Sequence, residues 1–320
     1  MSLYGSWECE RVVVMDFALH LSTLLSVLTH CSAQWCYKSQ YSCDNTCRDP
    51  SRWPGLFPDC GGLRQSPINI VTNHVQANHS LSPLTFYGHH NILNITVENM
   101  GHSAHFSLPS SVQVSGGGLA GRYRAIQFHL HWGVDAGPGS EHTVDGEHYP
   151  MELHIVHIKE PYSSLEEAEH DKSGIALLAF LFEESNDDHH HYNSLIEALG
   201  RVQNNGNQST VPGFRLCDII PPSHDLHDYY RYVGSMTTPG CEQAVVWTLF
   251  HRTIPVSNRQ LVSVAQQAQF WTGQPMTGIF RPVQPLNGRT VYRSATSPVQ
   301  PGLITVWLYV LQSVLGRALA

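Results

Sequence analysis

The 320-residue chain is 42% hydrophobic and 14% charged, with 25 glycines and 19 prolines, a balance that excludes a disordered, collagen-like or polytopic membrane protein. Acidic residues outnumber basic ones 26 to 18, for a formal charge of −8, and no Lys/Arg stripe runs along the chain, so it is not read as a nucleic-acid binder. The 21 histidines are the unusual feature, because imidazole is the commonest metal ligand and titrates near neutral pH.

Residues 1–33 read as a cleaved leader. From Met15 the chain runs MDFALHLSTLLSVLTHCSA, an apolar stretch in which Cys31-Ser32-Ala33 fits the small-x-small rule of a signal-peptidase site, so the mature chain starts near Gln34. Met1 to Val14 precede that pattern as an upstream extension and stand outside the fold argument. Of eight cysteines, Cys9 and Cys31 go with the leader, leaving Cys36, Cys43, Cys47, Cys60, Cys217 and Cys241. Six cysteines allow fifteen pairings, and the spacing alone does not choose among them. Three sequons, at Asn78, Asn94 and Asn207, are candidate glycan sites that suit a secreted chain.

The next informative stretch is Ala125-Ile126-Gln127-Phe128-His129-Leu130-His131-Trp132. Its polar and apolar residues alternate, which predicts a strand with Gln127, His129 and His131 on one face and Phe128, Leu130 and Trp132 on the other. Met151 to His157 alternates likewise, with Glu152, His154 and Val156 on one face and Leu153, Ile155 and His157 opposite. If the two strands are neighbours, His129, His131 and His154 converge on one point. Further on, Glu183 to His191 and Gln203 to Ser209 read as surface loops. No internal repeat or long linker interrupts residues 34–294, which form one domain.

At the C-terminus, small residues Ser294 to Ser297 precede a Pro/Gly spacer and an apolar tail, LITVWLYVLQSVLGRALA. That order, over residues 295–320, is the pattern of a GPI-attachment signal that is removed on anchoring. A single spanning helix of about 20 residues is the main rival, and free secretion the second.

Three histidines with a fourth position open is the layout of a catalytic zinc site. Such ligands need partners that accept the other ring N–H, and Gln127 and Glu152, each two residues before a histidine on the same face, are placed for it. A lone H-x-H pair is more often a pair of ordinary strand histidines; the third histidine and two matched partners favour the metal. Zinc has no redox chemistry, so hydration, hydrolysis or structural support is implied. The cysteines lack C-x-x-C spacing and no H-E-x-x-H motif occurs, which leaves neither a thiolate structural site nor a peptidase of that type.

Gln65-Ser66-Pro67-Ile68-Asn69-Ile70, Gln127 to Gly133, Ser140 to Asp145, Glu152-Leu153-His154, Gly234 to Pro239, Val246-Trp247-Thr248 and Arg281 to Leu286 together resemble the α-class carbonic anhydrases. The motifs stand in family order from Trp35 to Tyr292, and the leader, cysteines and tail look like the membrane-anchored extracellular branch, isozymes IV and XV. The resemblance implies a mainly β single domain around a large twisted, mostly antiparallel sheet with short peripheral helices. It implies reversible zinc-dependent hydration of carbon dioxide to bicarbonate and a proton, by attack of zinc-bound hydroxide.

Position by position, the resemblance assigns His129, His131 and His154 to Zn2+ and makes Thr237 the gatekeeper hydroxyl bonded to Glu141. Thr238 lines the bicarbonate site, and Val156, Leu177, Met236, Val245 and Trp247 wall the substrate pocket. His102 matches a proton shuttle at the cavity mouth, with Tyr37 on the nearby water network. Zinc lowers the pKa of bound water to about 7, an apolar substrate needs an apolar wall, and proton export needs a group titrating near 7. Leu177, Met236, Ile279 and His105 depart from the usual family residues; at Ile279 the family uses a backbone carbonyl to support a zinc ligand. The resemblance pairs Cys60 with Cys241 and Cys36 with Cys47, Cys43 being the alternative, and offers Cys217 no partner. It further implies a monomer tethered to the outer face of the plasma membrane, with bicarbonate or proton transporters as candidate partners. Two rivals stand beside it, a related binding module without catalysis and an unrelated zinc hydrolase.

Overall fold

A computed structural model of the chain describes residues 35–40 and 47–294. The leader-like segment, Cys43 and the apolar tail lie outside the described residues. In chain order the first strands are β1 (Asn69–Ile70), β2 (Gln76–Asn78), β3 (Leu84–Tyr87), β4 (Leu93–Asn99) and β5 (Ala104–Ser107). They are followed by β6 (Gln113–Gly116), β7 (Tyr123–Trp132), β8 (Thr143–Val144), β9 (Glu147–His148) and β10 (Met151–Lys159). The last five are β11 (Ile175–Ser185), β12 (Gln208–Phe214), β13 (Tyr229–Gly234), β14 (Val245–Ser257) and β15 (Tyr292–Ser294). Helices are short: α1 (Leu165–Glu169), α2 (Tyr192–Arg201) and α3 (Asn258–Gln267).

Twelve strands make one sheet with the order β12-β4-β5-β7-β10-β11-β14-β13-β15-β2, and β6 pairs with β3 and β7. Only β11–β14 and β15–β2 are parallel in that sheet; the other pairs are antiparallel. The fold is therefore the mainly β, mostly antiparallel sheet expected. β11 opens as the unbroken apolar run IALLAFLF, all of it buried, as a central strand covered on both faces requires. β1, β8 and β9 form a separate three-stranded sheet.

The two faces of the large sheet bury different cores. On one face Phe128, Leu130, Leu153, Ile155, Leu178 and Phe180 pack beneath α2 and α3, which contribute Leu195, Leu199, Leu261 and Val264. On the other, Val156, Leu177, Val245, Trp247 and Leu249 pack with Tyr230 and Tyr232. α3 starts at a reciprocal cap: the Ser257 hydroxyl accepts from Gln260 N while the Gln260 side chain accepts from Ser257 N.

The alternation read from sequence holds along β10 and along β7 from Gln127 onward. Upstream, Val156 pairs with Gln127 and His157 with Ala125, so Ile126 is an extra residue that bulges from the ladder. Ile126 accordingly packs with the second core rather than alternating out of it. Two segments read as loops are partly strand: β11 continues through Glu183, Glu184 and Ser185, and β12 begins at Gln208. In both, exposed polar residues at the end of a paired strand imitate loop composition.

Among the described residues two disulfides are present, Cys36–Cys47 and Cys60–Cys241, and Cys217 is free and half-buried. Among the described residues no helix is long and apolar enough to cross a membrane.

Candidate metal centre

β5, β7, β10 and β11 lie side by side, and their register puts His105, His129, His154 and Ala179 on one rung. On the adjacent rung of the same face His131 pairs with Glu152. The convergence inferred from two alternating strands is thus a consequence of antiparallel pairing, and the rung continues through Ala179 to Leu249 on β14.

The ring centroids of His129, His131 and His154 are 5.0, 5.3 and 4.6 Å apart in pairs. Each ring has one nitrogen tied to an acceptor. His129 Nδ1 is 2.9 Å from Gln127 Oε1, His131 Nδ1 is 2.7 Å from the Ile279 carbonyl oxygen, and His154 Nε2 is 2.7 Å from Glu152 Oε1. Those acceptors cannot donate, so the bonded nitrogens carry the protons and the three remaining nitrogens present lone pairs. One ligating nitrogen from each ring lies within 4.8 Å of the others, and His131 Nε2 is 3.1 Å from His154 Nδ1.

The Glu141 carboxyl adds a further acceptor. Its Oε1 accepts from Arg281 N at 2.8 Å, whereas Oε2 is fully buried without a hydrogen-bond partner, 3.4 Å from His131 Nε2 and 3.9 Å from His154 Nδ1. Three lone pairs and an orphaned carboxyl oxygen facing one another repel, and what satisfies them is a cation and a donor hydroxyl. Two nitrogens of a tetrahedral zinc with bonds of about 2.0–2.1 Å stand about 3.3 Å apart, close to the 3.1 Å between His131 Nε2 and His154 Nδ1. The donor set fits zinc. A second group, His142, Glu152 and His154, has its atoms equally close, but those atoms already bond one another, so it is a hydrogen-bond network.

Glu152 is the hub of that network. Oε1 accepts from His142 Nδ1 and His154 Nε2, and Oε2 accepts from the backbone N–H groups of Glu141 and His142. Burial raises its pKa, but the charges and hydrogen bonds of His142 and His154 outweigh burial and hold it well below the usual carboxylate range. His142 Nε2 continues to the Tyr232 hydroxyl at 2.7 Å, which donates to Ser66 Oγ at 2.9 Å. Glu141 behaves oppositely: burial pushes it up to about 7, with His154, the Arg281 N–H and the Thr237 hydroxyl pulling it back and Glu152 adding to the rise.

The residues expected around the metal fall as follows. Thr237 is 5% exposed with its hydroxyl against Glu141, and Thr238 follows half-buried, its carbonyl accepting from Cys241 N. Val156, Leu177, Val245 and Trp247 are buried in one cluster, with Met236 packed against it. The Trp247 ring centroid is 4.9 Å from His154, so the apolar wall touches the imidazole cluster. Gln127 and Glu152 hold the rings as described. Tyr37 is buried with its hydroxyl unpartnered.

His102 lies half-buried at the Gly101 turn, with Trp35 4.5 Å and His105 6.3 Å away between ring centroids. Burial first, then His105, pushes His102 down to about 3. Of the sequons, Asn94 and Asn207 are exposed and Asn78 is half-buried on β2.

Sequence reasoning assigned no role to the His142–Tyr232–Ser66 chain or to the Arg281 side chain. Arg281 is 1% exposed and donates to Gln65 Oε1, the Ser66 carbonyl and the Cys60 carbonyl, while its own N–H holds Glu141. Its one sequence signal is an arginine among prolines in a segment with no charge partner nearby.

The family model of eukaryotic-type carbonic anhydrases matches residues 48–295. Carbonic anhydrase 4 of Rattus norvegicus is 39% identical over 268 residues, 83% of this chain and 86% of that one. Carbonic anhydrase 15 of Mus musculus is 37% identical over 307 residues, 91% and 93% of the two chains. Carbonic anhydrase 12 of Homo sapiens is 38% identical over 252 residues, 76% and 70%.

Proposed function

The chain belongs to the eukaryotic-type carbonic anhydrase family and is a carbonate dehydratase, and from that premise we propose that it hydrates carbon dioxide reversibly at a zinc ion held by His129, His131 and His154. The observation that carries this reading is the convergence of three unprotonated imidazole nitrogens beside the orphaned Glu141 oxygen. A zinc ion there supplies the positive field that ionises water at neutral pH.

The protein's own groups do the rest. Gln127, the Ile279 carbonyl and Glu152 fix ring tautomer and direction, so the ligand nitrogens need no reorganisation. Arg281 N–H holds one Glu141 oxygen, and the carboxylate would accept from the Thr237 hydroxyl, leaving that hydroxyl free to accept from a water or hydroxide at the site. That one-way hydrogen bond aims a lone pair at the substrate. Val156, Leu177, Met236, Val245 and Trp247 offer an apolar wall to an apolar, linear substrate, and Thr238 offers a hydroxyl to bicarbonate. His102 passes the released proton to solvent buffer.

The two disulfides suit an oxidising compartment, and together with the leader-like and tail-like segments they support an enzyme at the outer face of the plasma membrane on a lipid anchor. Bicarbonate or proton transporters are the membrane partners this placement names. Stopped-flow hydration and zinc content, measured on one sample before and after chelation, test the reading. We expect about one zinc per chain and hydration that vanishes and returns with the metal; a zinc-loaded sample that does not hydrate carbon dioxide would refute it.

A further inference from the structure

The Thr237 hydroxyl and the Glu141 carboxyl sit on separate stretches of chain, and Arg281 is tied to both. Its backbone N–H donates to Glu141 Oε1 at 2.8 Å. Its guanidinium turns instead to the segment from Cys60 to Ser66. Nη1 donates to Gln65 Oε1 at 2.7 Å and to the Ser66 carbonyl at 2.9 Å, and Nη2 donates to the Cys60 carbonyl at 3.1 Å.

That segment in turn fastens the loop that carries Thr237. Cys60 is bonded to Cys241, Gln65 Nε2 donates to the Cys241 carbonyl at 3.3 Å, and Arg64 N donates to Gln243 Oε1 at 2.7 Å. Two residues before Thr237, Ser66 N donates to Ser235 Oγ and Ser235 N to Ser66 Oγ, both at 3.0 Å. Cys241 N closes the turn onto the Thr238 carbonyl at 2.8 Å. A second route runs from Glu152 through His142 and Tyr232 to Ser66, but Glu152 meets Glu141 at its backbone N–H and not at its carboxyl.

Arg281 is 1% exposed and the three acceptors of its guanidinium are uncharged. Burial pushes it down to about 10, with the Glu141 charge the largest influence against the fall. An apolar side chain would fill the same volume without that desolvation cost; what arginine adds is a planar fork that reaches several acceptors at once.

We propose that Arg281 is a positioning residue for the reaction. Its guanidinium locks the segment from Cys60 to Ser66, and with it the Thr237 loop, in the register at which the Thr237 hydroxyl meets the carboxylate held by the same residue's N–H. The proposal rests on the hydration reading given above and deepens it. Hydrogen bonds weaken steeply with distance and angle, and a misplacement of about 1 Å at a reacting geometry costs about 100-fold. His129, His131 and His154 lie on neither segment, so a loosened loop would lose direction while the metal ligands stay in place.

A double-mutant cycle on the full chain, expressed in animal cells and measured as zinc holoenzyme, tests this. Arg281→Lys keeps the charge but cannot reach the three acceptors together. Hydration should fall by about 10-fold in the parent and by less than about twofold in the Thr237→Val background, at unchanged zinc content. Equal losses in the two backgrounds would overturn the proposal, because a merely structural arginine costs the same with or without the hydroxyl. Gln65→Met removes one acceptor at similar volume; it should give the same pattern at smaller size, and it carries the cycle if Arg281→Lys does not fold. Hydrogen–deuterium exchange on the zinc-free protein gives a readout apart from activity. Peptide 235–243 should exchange about 10-fold faster in Arg281→Lys while α3 keeps its parental rate, and equal acceleration of both would also overturn the proposal. A zinc-loaded parent that does not hydrate carbon dioxide would sink the hydration reading instead, and the exchange rates would still decide whether Arg281 holds the loop.

Discussion

His131 Nδ1 donates to the carbonyl oxygen of Ile279 across 2.7 Å, whereas its two neighbours are held by side chains, His129 by Gln127 and His154 by Glu152. A backbone acceptor does not depend on which side chain the residue carries. The departure from the family residue at position 279 therefore leaves the ring supported.

This separates the three supports experimentally. Ile279 is fully buried, so Ile279→Val should lower stability by about 1 kcal/mol yet leave zinc affinity within about twofold. Gln127→Ala and Glu152→Gln remove a side-chain acceptor and should weaken zinc binding by about 10–100-fold. Competition against a chromophoric chelator measures all three. Equal affinities across the set would show that ring orientation is not what these contacts provide.

The proposed role of Thr237 is to set hydrogen-bond direction, and isosteric substitution isolates that. Thr237→Val keeps the volume and removes the hydroxyl; hydration should fall by about 100-fold at unchanged zinc content. Thr237→Ser restores the hydroxyl and should restore most of the rate. A valine variant as fast as the parent would remove Thr237 from the mechanism.

How far these contacts could be read in advance depends on their physics. His129, His131 and His154 were legible because a strand's side-chain period of two is written directly in the sequence, and antiparallel neighbours then fix the rung. Gln127 and Glu152 were legible for the same reason. The Ile279 carbonyl was not legible from residue pattern, since every residue has a carbonyl and only the fold brings this one to a ring 148 positions away. The Ile126 bulge was hidden because an extra apolar residue does not break an apolar-polar pattern at its edge. Nor does sequence reveal that one carboxylate, Glu152, serves four donors, a count set by how β10 meets the Glu141–His142 backbone.

Acid stability should follow two histidines outside the candidate metal centre. His89 and His157 are buried, each with Nδ1 on a backbone carbonyl and Nε2 without a partner. Burial pushes His89 down to about 4 and His157 down to about 3. Above their ordinary value of 6.5 both are neutral whether folded or unfolded, and neither makes stability depend on pH. As pH falls from 6.5 to about 4 the unfolded chain gains protons that the folded one refuses, so each group lowers stability by up to about 1.4 kcal/mol per pH unit. His157→Leu removes one such group and should flatten the dependence of the urea midpoint on pH across that window. An unchanged slope would mean that His157 is protonated in the folded state.

The packing of His102 makes the last prediction. Burial against Trp35 and the neighbouring His105 push its ring down to about 3, below the range in which an imidazole exchanges protons efficiently at neutral pH. Trp35→Ala uncovers the ring and lessens the burial that lowers it, which should move its NMR titration upward toward 6.5. His102→Ala should slow hydration in weak buffer by about 10-fold or more and recover on adding free imidazole, because the lost step is proton transfer rather than attack on carbon dioxide. Turnover that is insensitive to His102→Ala in weak buffer would assign proton export to another group on the rim.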